Sequence, residues 1–477
     1  MASSSPKTPH IVCVPAPAQG HINPMFKLAK LFHSRGFYIT FVHSEFSYQR
    51  LLQASALDHL KGLNNFRFET IPDGLPPENK RGVSDVPELC KSMRNTCADP
   101  FRSLILKLNS SSDVPPVTCI VADVAMDFTL QVSEELGPPV VLFFTLSGCG
   151  VLGYMHYGEL LERGYFPLRE ESFLSNGYLD TEIDWIPAMK GIRLKDLPSF
   201  LRTTDPDDIM FNCKIIEVNS AFKAKGVILN TFDDLEQEVL DAIKSKIPQL
   251  YTIGPLSMLC DHMLQPDSKL CEASLWEEDT SCLEWLQEKD PKSVLYVNIG
   301  SLATMTSQQL GEFAWGLANS MCPFLWVIRP DILDRASGIV SEDYKKEIGG
   351  RGLLVSWCQQ EKVLKHPSIG GFLTHCGWNS TLESLCEGVP MICWPFFAEQ
   401  QTNCFYICNK WGIGMEIDFD VKRVEIGMMV KELMKGEKGL EMRNKVEDLM
   451  SKAIKATTPG GSSHTNFEML MEDVAKW

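Results

Sequence analysis

Positive charge is what this chain is short of. Its 45 Lys and Arg are outnumbered by 61 Asp and Glu, which leaves a formal net charge of −16 over 477 residues. A surface that acidic repels nucleic-acid phosphates and anionic lipid headgroups, so neither is an expected partner. Long hydrophobic runs are missing too. The longest, Val140 to Tyr154, is broken by Thr145, Ser147 and three glycines and is too short to span a bilayer. The opening MASSSPKTPH has no apolar run of a secretory signal, so the expected location is the cytoplasm. The sixteen cysteines include no C-x-x-C pair, which argues against a disulfide framework or a zinc ribbon. Cys358, His366, His375 and Cys376 are spaced C-x7-H-x8-H-C, wider than zinc ligands favour, so the expectation is reduced, buried thiols and no metal. No G-x-x-x-x-G-K-[ST] phosphate loop and no internal repeat is found.

What is present points to an α/β protein. Hydrophobic residues make up 44% and charged residues 22%, ordinary globular usage, and the length suits two domains. Short β-rich runs alternate with helical patterns, the signature of parallel sheets with crossover helices. The first series of strands is expected at Ile11–Pro15, Tyr38–Val42, Phe66–Ile71, Cys119–Ala122, Val140–Phe144 and Gly226–Asn230. The second is expected at Val294–Asn298, Phe324–Ile328, Leu353–Ser356, Gly371–Thr374 and Met391–Cys393. After the first strand a helix is expected, with Asn23 as its cap, Pro24 in its first turn and Gly36 at its end. The stretch from Gly254 to Thr280 has no sustained period and reads as a linker. Phe467, Leu470, Met471 and Val474 lie at helical spacing, so a terminal amphipathic helix docks on the rest. The expected division is therefore 1–250, a linker 251–280, a second domain 281–455, and a terminal helix 456–477 that packs back on the first domain.

In doubly wound sheets ligands bind beyond the C-terminal strand ends, so chemistry is sought in the βα loops. His21 lies in the first such loop, where a neutral imidazole could take a proton from a nucleophile. A neighbouring helix N-terminus would disfavour its protonated form. Asp123 ends the fourth strand at the same sheet edge and could orient His21, or simply cap the following segment. Gly148-Cys149-Gly150-Val151-Leu152-Gly153 matches G-x-G-x-x-G, with Glu170 at a suitable distance for a dinucleotide site. That fingerprint belongs in the first βα turn of its unit, so close helix packing is the better explanation here. The richest stretch is Trp357 to Gln400. There Gly371–Thr374 leads through His375-Cys376-Gly377-Trp378-Asn379-Ser380 into a helix, whose N-terminus would make an anion site. Ser380-x-x-Glu383 can alternatively be a plain capping box. Trp357 offers a flat face for a base.

This stretch resembles the 44-residue nucleotide-sugar signature of the plant family 1 UDP-glycosyltransferases, in HCGWNSTLES, GVP and PFFAEQ, and it is 44 residues long here. The similarity runs through the chain, in QGHINP with His21, VAD with Asp123, the Thr145 region and NIGS with Ser301. The resemblance implies the GT-B fold, two Rossmann-like domains facing across a cleft. It implies His21 as general base and Asp123 as its partner. By position, Trp357 matches the residue that stacks on uracil, with the Cys358 backbone at the base edge. Gln360 and Glu383 match residues near the ribose. Ser301, His375, Asn379 and Ser380 match the diphosphate cradle, and Thr145, Trp378, Glu399 and Gln400 match sugar contacts. Gln359 stands where proline is usual and Glu399 where aspartate is usual, while Gln400 resembles glucose users. ELLERGYFPL and DWIPAMKGIRLKDLPSF resemble the subgroup acting on cyanohydrins, terpenoids and cytokinins.

The implied activity is inverting, metal-independent transfer of glucose from UDP-glucose to a hydroxyl or carboxyl of a small lipophilic plant metabolite, by a monomer without a resident cofactor. Two rival readings stand beside it. One is a nicotinamide-dependent oxidoreductase built on Gly148–Gly153, and the other is a UDP-sugar-binding protein without turnover.

Overall fold

The structure, a computed structural model, describes residues 8–54, 63–76, 85–264, 278–300, 306–328, 339, 341–418 and 420–477. Two parallel sheets organise them. The strands of the first are β1 (His10–Val14), β2 (Tyr38–Ser44), β3 (Phe66–Ile71), β4 (Cys119–Asp123) and β5 (Val140–Phe144). A small antiparallel pair, β6 (Glu182–Ile183) and β7 (Ile192–Arg193), interrupts the series before β8 (Gly226–Leu229) and β9 (Leu250–Thr252) complete the sheet. Its order is β3-β2-β1-β4-β5-β8-β9. The second sheet holds β10 (Val294–Asn298), β11 (Phe324–Val327), β12 (Gly352–Val355), β13 (Ile369–Thr374), β14 (Met391–Cys393) and β15 (Gly414–Glu416), in the order β12-β11-β10-β13-β14-β15. Both are Rossmann-like, with the order reversing beside the first strand of each series: between β1 and β4, and between β10 and β13.

Burial on both faces explains the strand sequences. Along β1, Ile11 and Cys13 enter one core layer while Val12 and Val14 enter the opposite one, as a period of two requires. In β10, Val294 and Tyr296 face one layer, Leu295 and Val297 the other. Among the described residues no helix is long and apolar enough to cross a membrane.

Three local expectations are corrected. The first helix runs Gln19–Ser34 with Ala18 as its cap, so Asn23 lies inside it and His21 sits on its first turn. Pro24 is tolerated because it falls early in the helix. Its missing N–H leaves the carbonyl of Gly20, four residues back, without an intrahelical donor. Within the stretch read as linker, Leu256–Met263 is a helix that buries Leu256, Leu259 and Cys260 in the first unit's core, while 265–277 lies outside the described residues. β9 and β15, three residues each, escaped the sequence reading because edge strands so short carry no period.

The terminal helix Ser462–Lys476 lays Phe467, Leu470, Met471 and Val474 into the same core layer as Phe32. Its Asp473 accepts a 2.7 Å hydrogen bond from the Tyr251 hydroxyl. The two sheets thus face one another with their strand-order reversals on the same cleft.

Candidate active site

A cavity of about 250 Å³ opens between the two reversals. One wall carries His21 and Thr145 from the first unit. The other carries Asn298, Gly300, Trp357, His375 and Glu383 from the second.

Asp123 is the last residue of β4 and fully buried. Its Oδ2 accepts from His21 Nδ1 at 2.7 Å, while Oδ1 accepts the Ala125 N–H at 3.0 Å. Orienter and cap are therefore the same carboxylate. Because an ionised carboxylate can only accept, His21 carries its proton on Nδ1, which leaves the Nε2 lone pair for the cavity. Thr145 Oγ1 also lies 2.9 Å from Nδ1, so the threonine hydroxyl braces the imidazole. Burial pulls the His21 pKa down, but the charge and hydrogen bond of Asp123 outweigh it and the net shift is upward. The expectation that the helix N-terminus governs His21 is thus corrected, since a contact ion pair outweighs a partial dipole charge.

The opposite wall starts at β13. Cys376 takes a left-handed conformation (φ 64°), which turns the chain sharply into the helix Trp378–Cys386. Gly377 caps that helix without a side-chain hydrogen bond. Ser380 is therefore inside its first turn, and the capping-box alternative is corrected: the first N–H groups stay available to an anion. The His375 ring is clamped between two glycines. A Cβ at Gly300 would lie 2.7 Å from the ring and one at Gly377 2.4 Å, which explains both. Burial holds the His375 pKa down at about 4, so the ring is neutral. Its Nδ1 is buried without a hydrogen-bond partner among the described residues.

A side-chain chain links the rest. Gln360 Nε2 donates to Ser380 Oγ at 2.9 Å and to Glu383 Oε2 at 2.7 Å, while its Oε1 accepts from Asn298 Nδ2 at 2.8 Å. Asn298 is a site residue that the sequence reading passed over. It ends the apolar strand β10 just as Asp123 ends β4, and that was the available signal. Burial, then repulsion from Glu361, raises the Glu383 pKa to about 7. Trp357 follows β12 and Cys358 is buried beside it, its Sγ 3.5 Å from the Tyr296 hydroxyl. Gln359 is the cap residue ahead of the helix Gln360–Leu364, and its amide donates to Glu278, a second cavity residue that the sequence alone does not single out.

Several expected site residues also join the two units. Asn379 Nδ2 donates at 2.7 Å to the Gly20 carbonyl, the group that Pro24 leaves unclaimed, next to His21. Trp378 Nε1 donates to the Asn230 carbonyl at 2.8 Å and the ring is buried. Glu399 is buried, and a Cβ at Gly150 would lie 2.8 Å from its side chain. Gln400 uses its Oε1 to hold the Phe396 and Phe397 N–H groups, at 2.9 and 3.2 Å, which shapes the loop at the cavity. Ser301 lies outside the described residues.

The glycine fingerprint has a structural use instead. Gly148 and Cys149 donate their N–H groups, at 3.0 and 2.7 Å, to the buried carboxylate of Glu236. That helix N-terminus is already occupied by an anion of the protein itself, which leaves no place for a pyrophosphate. The wide Cys/His set is not brought together either. Cys376 instead meets Cys393 and Cys404, with the three sulfurs within 4.8 Å of one another.

Comparison with known proteins agrees with this geometry. The model of the family "UDP-glucoronosyl and UDP-glucosyl transferase" matches residues 272–443, which carry the second sheet. The chain is 55% identical over 474 residues to a 7-deoxyloganetin glucosyltransferase of Catharanthus roseus, covering 99% of this chain and 97% of the relative. It is 53% identical over 473 residues to an (R)-mandelonitrile beta-glucosyltransferase of Prunus dulcis, covering 99% and 98%. Among solved structures, Os79 from O. sativa in complex with UDP superposes with a TM-score of 0.81 at 27% identity, covering 97% of this chain and all of that one. Phytolacca americana UGT2, complexed with UDP-2fluoro-glucose and pterostilbene, gives a TM-score of 0.81 at 29% identity, covering 98% and 100%. With relatives above half identity along its whole length and a cleft of the same architecture, the chain belongs to the UDP-glycosyltransferase family and is a sugar-transferring enzyme of GT-B fold.

Proposed function

We propose that the protein transfers glucose from UDP-glucose, with inversion, to a hydroxyl of a small lipophilic plant metabolite. The observation that carries this is the 2.7 Å His21–Asp123 pair at one strand-order reversal, facing an uncapped helix N-terminus at the other. His21 Nε2 takes the acceptor's hydroxyl proton, and the resulting imidazolium is stabilised by Asp123. The acceptor oxygen attacks the anomeric carbon from the face opposite UDP. The bond from that carbon to the β-phosphate oxygen breaks, and its electron pair leaves with UDP.

The second unit supplies the donor site. Trp357 stacks on uracil, the Cys358 backbone meets its edge, and Glu383, oriented by Gln360, accepts from the ribose hydroxyls. The first N–H groups of the helix Trp378–Cys386, with His375, Asn379, Ser380 and Ser301, take up the diphosphate charge. Trp378, Glu399, Gln400 and Thr145 surround the sugar. These groups carry the leaving-group stabilisation, so a resident metal has no part in the proposal. Residues 1–250 form the acceptor unit and 281–455 the donor unit, joined through 251–280 and by the returning segment 456–477.

The test is incubation with UDP-glucose and a panel of small alcohols, phenols and acids, with products read by mass spectrometry and the anomer by NMR. A β-glucoside is expected. An α-linked product, or none with any acceptor while UDP binds, refutes the proposal.

A further inference from the structure

A partly exposed ammonium lies on the acceptor side of the cleft, and the transfer chemistry does not use it. Lys214 sits on the helix Ile209–Ala221 and donates to Glu217 Oε2 at 2.7 Å. An ammonium has three donors. Among the described residues, that bond is its only hydrogen bond. The Lys214 side chain keeps 15% exposure against 3% for Glu217, so an incoming molecule reaches the lysine and not its partner.

Its surroundings place it beside the reacting centre. Nζ lies 5.7 and 5.8 Å from the ring centroids of Tyr154 and Phe200, which stack on each other at 6.4 Å. Each ring is tied to the cavity wall through a neighbouring residue of its own segment, which touches Ala398 or Glu399. Ser199, next to Phe200, exchanges two 2.8 Å hydrogen bonds with Ala398. Tyr154 lies one turn beyond Gly150, which abuts Glu399. Lys214 is close enough to His21 and Glu399 to act on the charge of both.

We infer that Lys214 anchors the acceptor by donating a hydrogen bond to a neutral carbonyl, ester or lactone oxygen at the end of the acceptor remote from the reacting hydroxyl. The inference rests on the reading that the acceptor hydroxyl meets His21. Neutrality follows from the local charges. Lys214 is balanced by Glu217, and the neighbouring Arg94 is balanced by Asp127 at 3.2 Å. Asp123 and Glu399 add no positive charge, so a carboxylate would arrive without a countercharge of its own. The ammonium stays charged as a donor, because Glu217 offsets its burial and brings its pKa up to about 12. The stacked rings provide the apolar floor for a lipophilic body.

The test uses binding to the enzyme–UDP complex, by calorimetry, of three alcohols that differ only at the far end. They are methyl para-(hydroxymethyl)benzoate, para-isopropylbenzyl alcohol and the para-(hydroxymethyl)benzoate anion. The wild type is expected to bind the ester about tenfold tighter than the isopropyl compound, the worth of one charge-assisted hydrogen bond. Lys214→Met should bring that ratio to about one, and Lys214→Arg should keep it. Lys214→Met leaves Glu217 buried and unpaired, so Lys214→Met/Glu217→Gln serves as the second variant with the same expected ratio. A wild-type ratio of one, or a ratio that survives in the double variant, overturns the inference. So does tightest binding by the anion. Binding is read without turnover. Failure of all three alcohols to be glucosylated would therefore count against the His21 assignment and leave the Lys214 result separate.

Discussion

Replacing Asp123 by Asn tests how the base is made. The swap keeps the side-chain shape and its Oδ1 can still accept the Ala125 N–H, so the local turn survives. What changes is the other end, where an amide N–H₂ now faces His21 Nδ1. To accept that donor, the imidazole must move its proton to Nε2, the atom meant to receive the acceptor's proton. Two losses result. The imidazolium formed during transfer loses a charge-assisted hydrogen bond, roughly 1.5–3 kcal/mol or about one to two decades in rate. The inverted tautomer adds a loss of about the same size, and the same swap in a Ser-His-Asp triad costs on the order of 10⁴ in kcat. The expected fall in kcat is therefore about 10²–10⁴, with the KM for UDP-glucose nearly unchanged. The pH profile supplies an independent check. In the wild type Asp123 raises the His21 pKa, so activity falls as pH drops through a value above that of free histidine. In the variant, burial, the largest influence, is opposed only by the charge of Glu399, the smallest, so the acid limb moves to lower pH, although the plateau is lower. Steady-state glucosylation between pH 5 and 9 measures both. A variant within threefold of wild type, with the acid limb unmoved, refutes the reasoning.

Other outcomes follow from the donor wall. With the Glu383 pKa at about 7, the carboxylate is protonated as pH falls through 7 and loses its charge and with it the stronger, charge-assisted acceptance from ribose. KM for UDP-glucose should rise on that side, and Glu383→Gln should raise KM at all pH values and flatten the dependence. Gly300→Ala puts a Cβ 2.7 Å from the His375 ring at a φ of +81°. Calorimetry should show UDP binding weakened about tenfold or more, with a melting temperature only a few degrees lower. Exhaustive dialysis against EDTA should leave glucosylation at its starting rate, because hydrogen bonds and a helix N-terminus carry the diphosphate charge in this account.

The parts of the molecule that could be read from sequence are those specified by local pattern. Runs such as Cys119–Asp123 and Ile369–Thr374 are apolar because both faces are buried, and the polar residues that end or follow them mark the ligand edge. His21 and Asp123 were legible on that logic. What was not legible depends on partners distant in sequence. Nothing near Gly148 announces that Glu236 will fill its helix N-terminus. Nothing near Pro24 announces that Asn379, 359 residues after Gly20, will take the carbonyl it frees. The start of the first helix is misplaced from sequence because Pro24 looks like a first-turn residue, whereas the five residues ahead of it are already helical. Lys214 is a further case: it shares its helix with Asn212, Glu217 and Asn219, and only tertiary packing shows which of these polar groups faces the cleft.

In the proposed reaction His21 is the base for a transfer whose donor is held by the opposite unit. Single-turnover glucosylation by His21→Ala, with UDP affinity of the same preparation measured by calorimetry, tests it most directly. Transfer should fall by at least about 10²–10⁴, as expected for loss of a general base, while UDP binds within a few-fold of wild type. Transfer at a near-normal rate, or loss of UDP binding together with transfer, would contradict the account.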